Sequence, residues 1–347
     1  MTDRRPRAGR GQARIRVAIL SFAHPHAESY ARILRDRDDV DVVGVDCPPY
    51  GADRGRLRGE ALSATLGVPF LDDYSAALEW GPDAVIVTSE TVHHAALVKA
   101  AAEAGADVLC EKPLATTLED AESMQRAVDE AAVMLMTAYP VRFSPAFRAL
   151  QESVRSGVLG EVIAVLGTNN GKVPALDTSW FGDRELAGGG ALSDHVVHCA
   201  DLIDELLSRP PVSVHAVTNS LLAPRLAVES AGLVTVVYEG GVIATIDCSW
   251  SSPPTSPSWG GLTLEVVGTR GTMTIDPFSQ RVSGHDPDGA VWAPIGADLD
   301  ALMLDEFLSA ISERRQPQPD GGSGVRTLAI VAAAQRSVDT RGSVQFS

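Results

Sequence analysis

Asp83-Ala84-Val85-Ile86-Val87-Thr88 leads into a helix-forming stretch from about Val92 to Ala104, then Gly105, then Asp107-Val108-Leu109-Cys110, and this run decides the fold. The middle of the first segment is almost uniformly apolar. A strand tolerates that when helices cover a parallel sheet on both faces. Gly105 is placed to cap the helix, and a strand–helix–strand unit of this kind closes by a right-handed crossover. The alternation continues in both directions. Upstream lie a strand at 15–20, a helix from about Ala27 to Arg35, a strand at 40–46 and short helices at 61–66 and 74–80. Downstream lie a helix from Leu118 to Ala131, with Glu119 and Asp120 favourable in its first turn, and a strand at 133–137. The expectation is an α/β chain with a doubly wound parallel sheet over residues 15–137.

Near residue 138 the pattern changes. Pro140, Pro145 and a helix to about Ser156 form a transition, and Val162 to Thr168 reads as a strand. Strands are expected at 212–217, 232–238, 242–249, 262–267 and 272–275, with Gly240-Gly241 as a hairpin turn. Such short turns imply antiparallel pairing. Helices from about Leu302 to Glu313 and Val325 to Val338 close the chain. Residues 138–347 are therefore expected to form an α+β substrate domain, and residues 1–14 a mobile basic tail rather than an export signal.

Composition narrows the function. The 347 residues carry 29 Lys and Arg against 45 Asp and Glu, a net charge of −16, which disfavours nucleic acid and anionic membranes as partners. The apolar content is 45%, with only 5% aromatic residues, which suits helices on a parallel sheet. No apolar run reaches membrane-spanning length. Cys47, Cys110, Cys199 and Cys248 have no CxxC spacing. The expected setting is the cytoplasm.

Four segments offer chemistry. After the first strand, Ser21-Phe22-Ala23-His24-Pro25-His26 stands where a dinucleotide fold carries GxGxxG, with Ser21, Ala23 and His26 at the glycine positions. Asp46 ends the second strand, where a carboxylate accepts from adenosine ribose hydroxyls and repels a 2′-phosphate. The lean is to NAD, with NADP open because Arg54 and Arg58 lie nearby. Glu111-Lys112-Pro113 follows a strand at the carboxyl edge of the sheet, and Lys112 can hydrogen-bond or protonate a substrate oxygen. Finally, Gly188-Gly189-Gly190 leads into a helix that Ser193 can cap. There Asp194 and His198 share a face, with Asp201 one turn on, and the carboxylate can orient the imidazole as a general base. The histidines, His24, His26, His93, His94, His195 and His198, also suggest a rival: the HxH after the first strand, with a later carboxylate, suits a metal hydrolase. It requires separate loops to converge, and no metal is expected.

Taken in order, these residues resemble the glucose–fructose oxidoreductase / inositol dehydrogenase / MocA family. The likeness runs from Val17 to Phe346 and includes Ser89-Glu90 with His94, the run from Ala104 through Glu111-Lys112-Pro113, Tyr139 with Arg142-Phe143, Gly157 to Val162, and Gly188 to His198 with Asp201. It implies a Rossmann domain followed by an open-faced, mostly antiparallel sheet, through which members oligomerise as homodimers or homotetramers. It implies Lys112, Asp194 and His198 as the catalytic group. It implies NAD held by Ser21, Phe22, Ala23, His24, His26, Asp46, Ser89, Glu90, His94, Glu111 and Pro113. A sugar or polyol substrate would meet Tyr139, Arg142, Asn170, Lys172 and Trp180. Hydride transfer to or from a hydroxyl carbon is the first functional expectation. A redox-cycling glycosidase or epimerase with retained NAD, and a non-catalytic member with impaired cofactor binding, are the alternatives. The altered glycine loop is the departure from the family pattern.

Overall fold

The first strand, β1 (Ile15–Leu20), runs down the centre of a six-stranded parallel sheet because its side chains are apolar on both faces and helices bury both. The computed structural model describes residues 14–47, 57–174, 180–287 and 289–346. The N-terminal elements are β1, α1 (His26–Arg35), β2 (Val40–Val45), α2 (Gly59–Leu66), β3 (Phe70–Leu71), α3 (Tyr74–Glu79), β4 (Ala84–Val87), α4 (His94–Glu103), β5 (Asp107–Cys110), α5 (Leu118–Ala131) and β6 (Leu135–Thr137). The strand order is β3-β2-β1-β4-β5-β6. Chain direction across the sheet reverses between β1 and β4. The turns after β1, β2, β4 and β5 thus open onto one crevice, where such folds bind ligands. Local chemistry sets the ends: Thr117 caps α5 by accepting from the Asp120 N–H, and Asp73 caps α3 through Ala76.

The second half contains α6 (Pro145–Arg155), β7 (Val162–Lys172), α7 (Arg184–Ala187), α8 (Ala191–Leu207), β8 (Pro211–Asn219), β9 (Ala231–Tyr238), β10 (Ile243–Ser252), β11 (Gly260–Gly268), β12 (Gly271–Ile275), β13 (Arg281–Asp286), β14 (Gly289–Pro294), α9 (Leu299–Glu313), α10 (Gly321–Thr340) and β15 (Val344–Gln345). The large sheet is ordered β12-β11-β7-β10-β9-β8-β15. Its pairings are antiparallel except β7 with β10, which run parallel because long connections separate them in sequence. The β13–β14 hairpin lies outside the strands expected from the sequence. Helices α8 and α10 cover one face. The opposite face is open and carries half-exposed Leu166, Val217, Leu233 and Ile243. Helix α9 returns to the first half, where Met303, Leu304 and Phe307 share a core with Tyr30 and Leu34 of α1.

Phe22 fixes the start of the β1–α1 turn. It is fully buried against β2, and a Cβ on Gly44 would lie 2.6 Å from its ring. Gly44→Ala should therefore lower stability by about 1–3 kcal/mol through overpacking. Urea denaturation reads this directly, and an unchanged midpoint would show that the Phe22 ring yields without cost.

Candidate active site

A cavity of about 690 Å³ lies between the carboxyl edge of the first sheet and the α8 face of the second. The β5–α5 turn supplies Lys112, the β1–α1 turn His24 and His26, and α8 supplies Asp194, His195 and His198. Asn169, Gly171 and Lys172 enter from β7, and Trp259 and Phe278 form an aromatic wall.

An ion pair joins the two halves at the cavity. Lys112 Nζ lies 2.8 Å from Asp194 Oδ1 and also donates to the Asp194 carbonyl at 3.2 Å. Asp194 Oδ2 accepts from Trp250 Nε1 at 3.1 Å. Burial opposes ionisation of Asp194, but the adjacent Lys112 ammonium and the hydrogen bonds from Lys112 and Trp250 act together against it, and the carboxyl is held well below the usual range. The i, i+4 pairing expected between Asp194 and His198 does not form: the carboxylate turns to Lys112 and Trp250 instead. His198 Nδ1 has no hydrogen-bond partner, and burial, with Lys112 next, lowers the imidazole pKa well below its ordinary value.

Neither His195 nor Asn169 was among the catalytic or substrate residues expected from the sequence. Asn169 donates its amide to the Gly261 carbonyl, so its Oδ1 accepts from His195 Nδ1 at 2.9 Å. The proton therefore sits on Nδ1, and Nε2 presents a lone pair 3.4 Å from Asp194 Oδ2 with no donor to satisfy it. Burial lowers the His195 pKa. Gly171 makes room for this ring, since a Cβ there would stand 2.8 Å from Nε2. The strand period of β7 was the available signal: it puts Asn169 and Gly171 on the face of buried Val165.

The glycine-led helix starts differently from expectation. Gly190 is its N-cap and Ser193 lies inside the first turn, where its hydroxyl bonds to the Gly188 carbonyl. The cap comes from far away in sequence, because Glu229 accepts from the N–H groups of Gly190 and Leu192.

Among the proposed substrate contacts, only Lys172 lines the cavity; its Nζ donates to the Ser256 carbonyl at 2.7 Å. Tyr139 is buried with its hydroxyl 2.7 Å from Thr327 Oγ1. Arg142 is buried in an ion pair with Asp201 and Glu205. Asn170 points to the open sheet face and donates to Ser249. Trp180 is buried over the β1–α1 turn, with Nε1 donating to the Ala23 carbonyl. Packing thus leaves these four out of the cavity lining.

The carboxyl-edge cavity beside Lys112 suits a nicotinamide ring. The β1–α1 turn offers a diphosphate little. The N–H of Ala23 bonds to Ser21 Oγ, that of His24 to the Thr88 carbonyl and that of His26 to His24 Nδ1. Ala27 and Glu28 donate to His24 and Pro25 carbonyls, and Pro25 has no N–H. Phe22 faces the core. Ser21 keeps the left-handed φ of 77° that a first glycine would adopt. Asp46 accepts from Ser21 Oγ, from two nitrogens of Arg58 and from the Gly59 N–H. Arg58 also reaches Glu90 at 3.1 Å. The Asp46 carboxylate is thereby engaged by Arg58, while Arg54 lies outside the described residues. Ser89 and His94 are buried, and the His94 ring contacts the carbonyls of Ser89, Pro113 and Leu114, tying the β4 turn to the β5 turn. Glu111 is buried beneath His26, and the Lys112–Pro113 bond is cis.

Residues 147–274 match the family described as GFO/IDH/MocA C-terminal domain, and residues 50–139 match the oxidoreductase family with an NAD-binding Rossmann fold. The chain is 33% identical over 265 residues to 1,5-anhydro-D-fructose reductase of Ensifer adhaerens, covering 74% of this chain and 78% of the reductase. It is 28% identical to D-apiose dehydrogenase of Paraburkholderia graminis, covering 96% and 89%. The crystal structure of GenD2 from gentamicin A biosynthesis in complex with NAD superimposes with a TM-score of 0.84 at 25% identity, covering 99% of each chain.

The depressed imidazoles give a pH signature. A histidine held neutral in the fold but free to protonate when unfolded contributes stability above about pH 6.5. That contribution is lost as pH falls from there toward the lowered folded value. Thermal unfolding should show Tm dropping between pH 7 and pH 5, with a shallower drop in His198→Gln. Parallel curves for the two proteins would remove His198 as a source of the pH dependence.

Proposed function

The chain belongs to the GFO/IDH/MocA oxidoreductase family, and on that premise we propose that it moves a hydride between NAD(H) and a hydroxyl-bearing carbon of a sugar or polyol. The observation that carries this reading is Lys112 at the cavity floor, held by Asp194 of the other half, with the neutral ring of His198 lining the same space. The nicotinamide supplies the hydride acceptor when bound. The rest falls to protein side chains. The Lys112 ammonium donates a hydrogen bond to the substrate oxygen and stabilises it as the carbonyl develops. His198 accepts the hydroxyl proton, and reduction reverses both roles. Asp194 keeps the Lys112 side chain aimed into the cavity.

The names of the relatives support the substrate class: one reduces 1,5-anhydro-D-fructose and one is a D-apiose dehydrogenase. The open face with Leu166, Val217, Leu233 and Ile243 supports a homodimer or homotetramer buried through that sheet. No helix among the described residues is long and apolar enough to cross a membrane, and we place the protein in the cytoplasm. A second reading, a member with weakened nucleotide binding, draws on the engaged N–H groups of the β1–α1 turn. Calorimetry with NADH separates the two, since only the first requires saturable binding.

Lys112→Met should lower the rate of hydride transfer by about two to four orders of magnitude, the range of an acid–base group. NADH affinity should change little. Single-turnover absorbance at the NADH band with a panel of sugars and polyols measures it. Wild-type rates in this variant would defeat the mechanism.

A further inference from the structure

The two histidines that stand in the glycine loop do more than fill it. His24 and His26 lie two residues apart on a tight turn and both line the cavity. Beneath them is Glu111 at the edge of β5. His26 Nδ1 lies 2.9 Å from Glu111 Oε1, and His24 Nδ1 lies 3.7 Å from the same oxygen. One ligand atom from each of the three residues falls within 4.8 Å of the others. Donors sharing a divalent ion at bond lengths near 2.1 Å stand about 3.0–3.4 Å apart, so the observed distances bracket that spacing. The side chains of Glu111 and His24 are almost wholly enclosed, while His26 is one-third exposed on the cavity side.

The surroundings complete the arrangement. Tyr30 donates its hydroxyl to Glu111 Oε1 at 2.6 Å, the kind of outer hydrogen bond that orients a ligating carboxylate. The backbone N–H of Lys112 donates to Oε2 at 3.2 Å. His24 Nδ1 accepts from the His26 N–H, a bond that would be exchanged for the ion. The other adjacent pair does not join: His93 is exposed, and His94 is turned to the carbonyls of Ser89, Pro113 and Leu114.

We propose that His24, His26 and Glu111 form a divalent-metal site at the corner where the fold would otherwise cradle a diphosphate with glycine N–H groups. Two imidazoles and one carboxylate are zinc ligands first, with cobalt, nickel and manganese as weaker matches. Three protein ligands leave positions open, and His24 and His26 line the cavity that Lys112 also faces. An oxygen of water or of a bound ligand would complete the shell. The ion would supply there the positive pole that the engaged backbone of this turn withholds.

The test uses the full chain, stripped with a chelator, exchanged into metal-free buffer and titrated with zinc sulfate against a chromophoric chelator. Circular dichroism checks the fold of each variant. One zinc per chain is expected. His24→Asn and His26→Asn should each weaken binding on the order of 100-fold or more. The surface variant His93→Asn should bind as the wild type does. Lack of tight zinc binding to the wild type would overturn the proposal. So would a folded His24→Asn/His26→Asn double variant that binds zinc as the wild type does. Both readouts are independent of turnover, so either failure leaves the hydride-transfer reading standing.

Discussion

Lys112 and Asp194 are buried charges 82 positions apart in sequence, one at the edge of the parallel sheet and one in the first turn of α8. Taking either from water alone would cost several kcal/mol, so each is tolerable only because the other is there. Trp250 and the Asp194 carbonyl meet part of their remaining bonding capacity. The helix N-terminus adds a favourable field for the carboxylate. This contact crosses the cleft and joins the carboxyl edge of the first sheet to the start of α8, beside the cavity. His195 and His198 reach that cavity because α8 is fixed at this point. The aromatic wall of Trp259 and Phe278 closes it from the far side.

The β1–α1 turn shows what the absence of glycines costs and allows. Ser21 sits in a left-handed conformation that a side chain disfavours. Its hydroxyl offsets that cost by bonding to Asp46 and accepting from the Ala23 N–H. Asp46 in turn is neutralised by Arg58, which also satisfies Glu90. The turn has exchanged free backbone donors for a side-chain network, and the two rings that follow point into the cavity. The geometry of a dinucleotide fold survives this exchange because β1, β2 and β4 are set by apolar burial on both faces, independently of what the turn binds.

That distinction explains which parts were legible in the sequence. Segments with uniform or alternating hydrophobicity could be read: β5 and α5 have the expected bounds, and β9 and α1 differ by one residue at one end. Lys112, Asp194 and His198 could be placed in one cleft because Lys112 follows the end of β5 and the other two lie on one face of α8, Asp194 in its first turn. Their pairing could not be read. The i, i+4 spacing made Asp194 a neighbour of His198, but a carboxylate in a buried cleft goes to the nearest cation, and that cation lies in the other half of the chain. The Glu229 cap on α8 was hidden for the same reason, as was the fate of Arg142, whose charge is consumed by Asp201 and Glu205. The β13–β14 hairpin is almost wholly exposed over its described first strand, so it lacks the buried face that gives a strand its signature.

The most consequential detail is one of register in β7. This strand is paired with β10 on one side and β11 on the other, so neither neighbour can slip without the other. Along it, Val165, Gly167, Asn169 and Gly171 face α8, while Leu166 and Asn170 face outward. A shift of one residue would exchange the two sets. Asn169 would leave His195, removing the acceptor that fixes its tautomer, and Asn170 would arrive with its neighbours a residue out of place. Gly171 would no longer clear the imidazole. Gly167, where a Cβ would stand 3.0 Å from the Cys199 sulfur, would no longer admit the close approach of α8. The same period-two pattern that leaves one face of the sheet half-exposed thus sets the tautomer of a histidine on the other face.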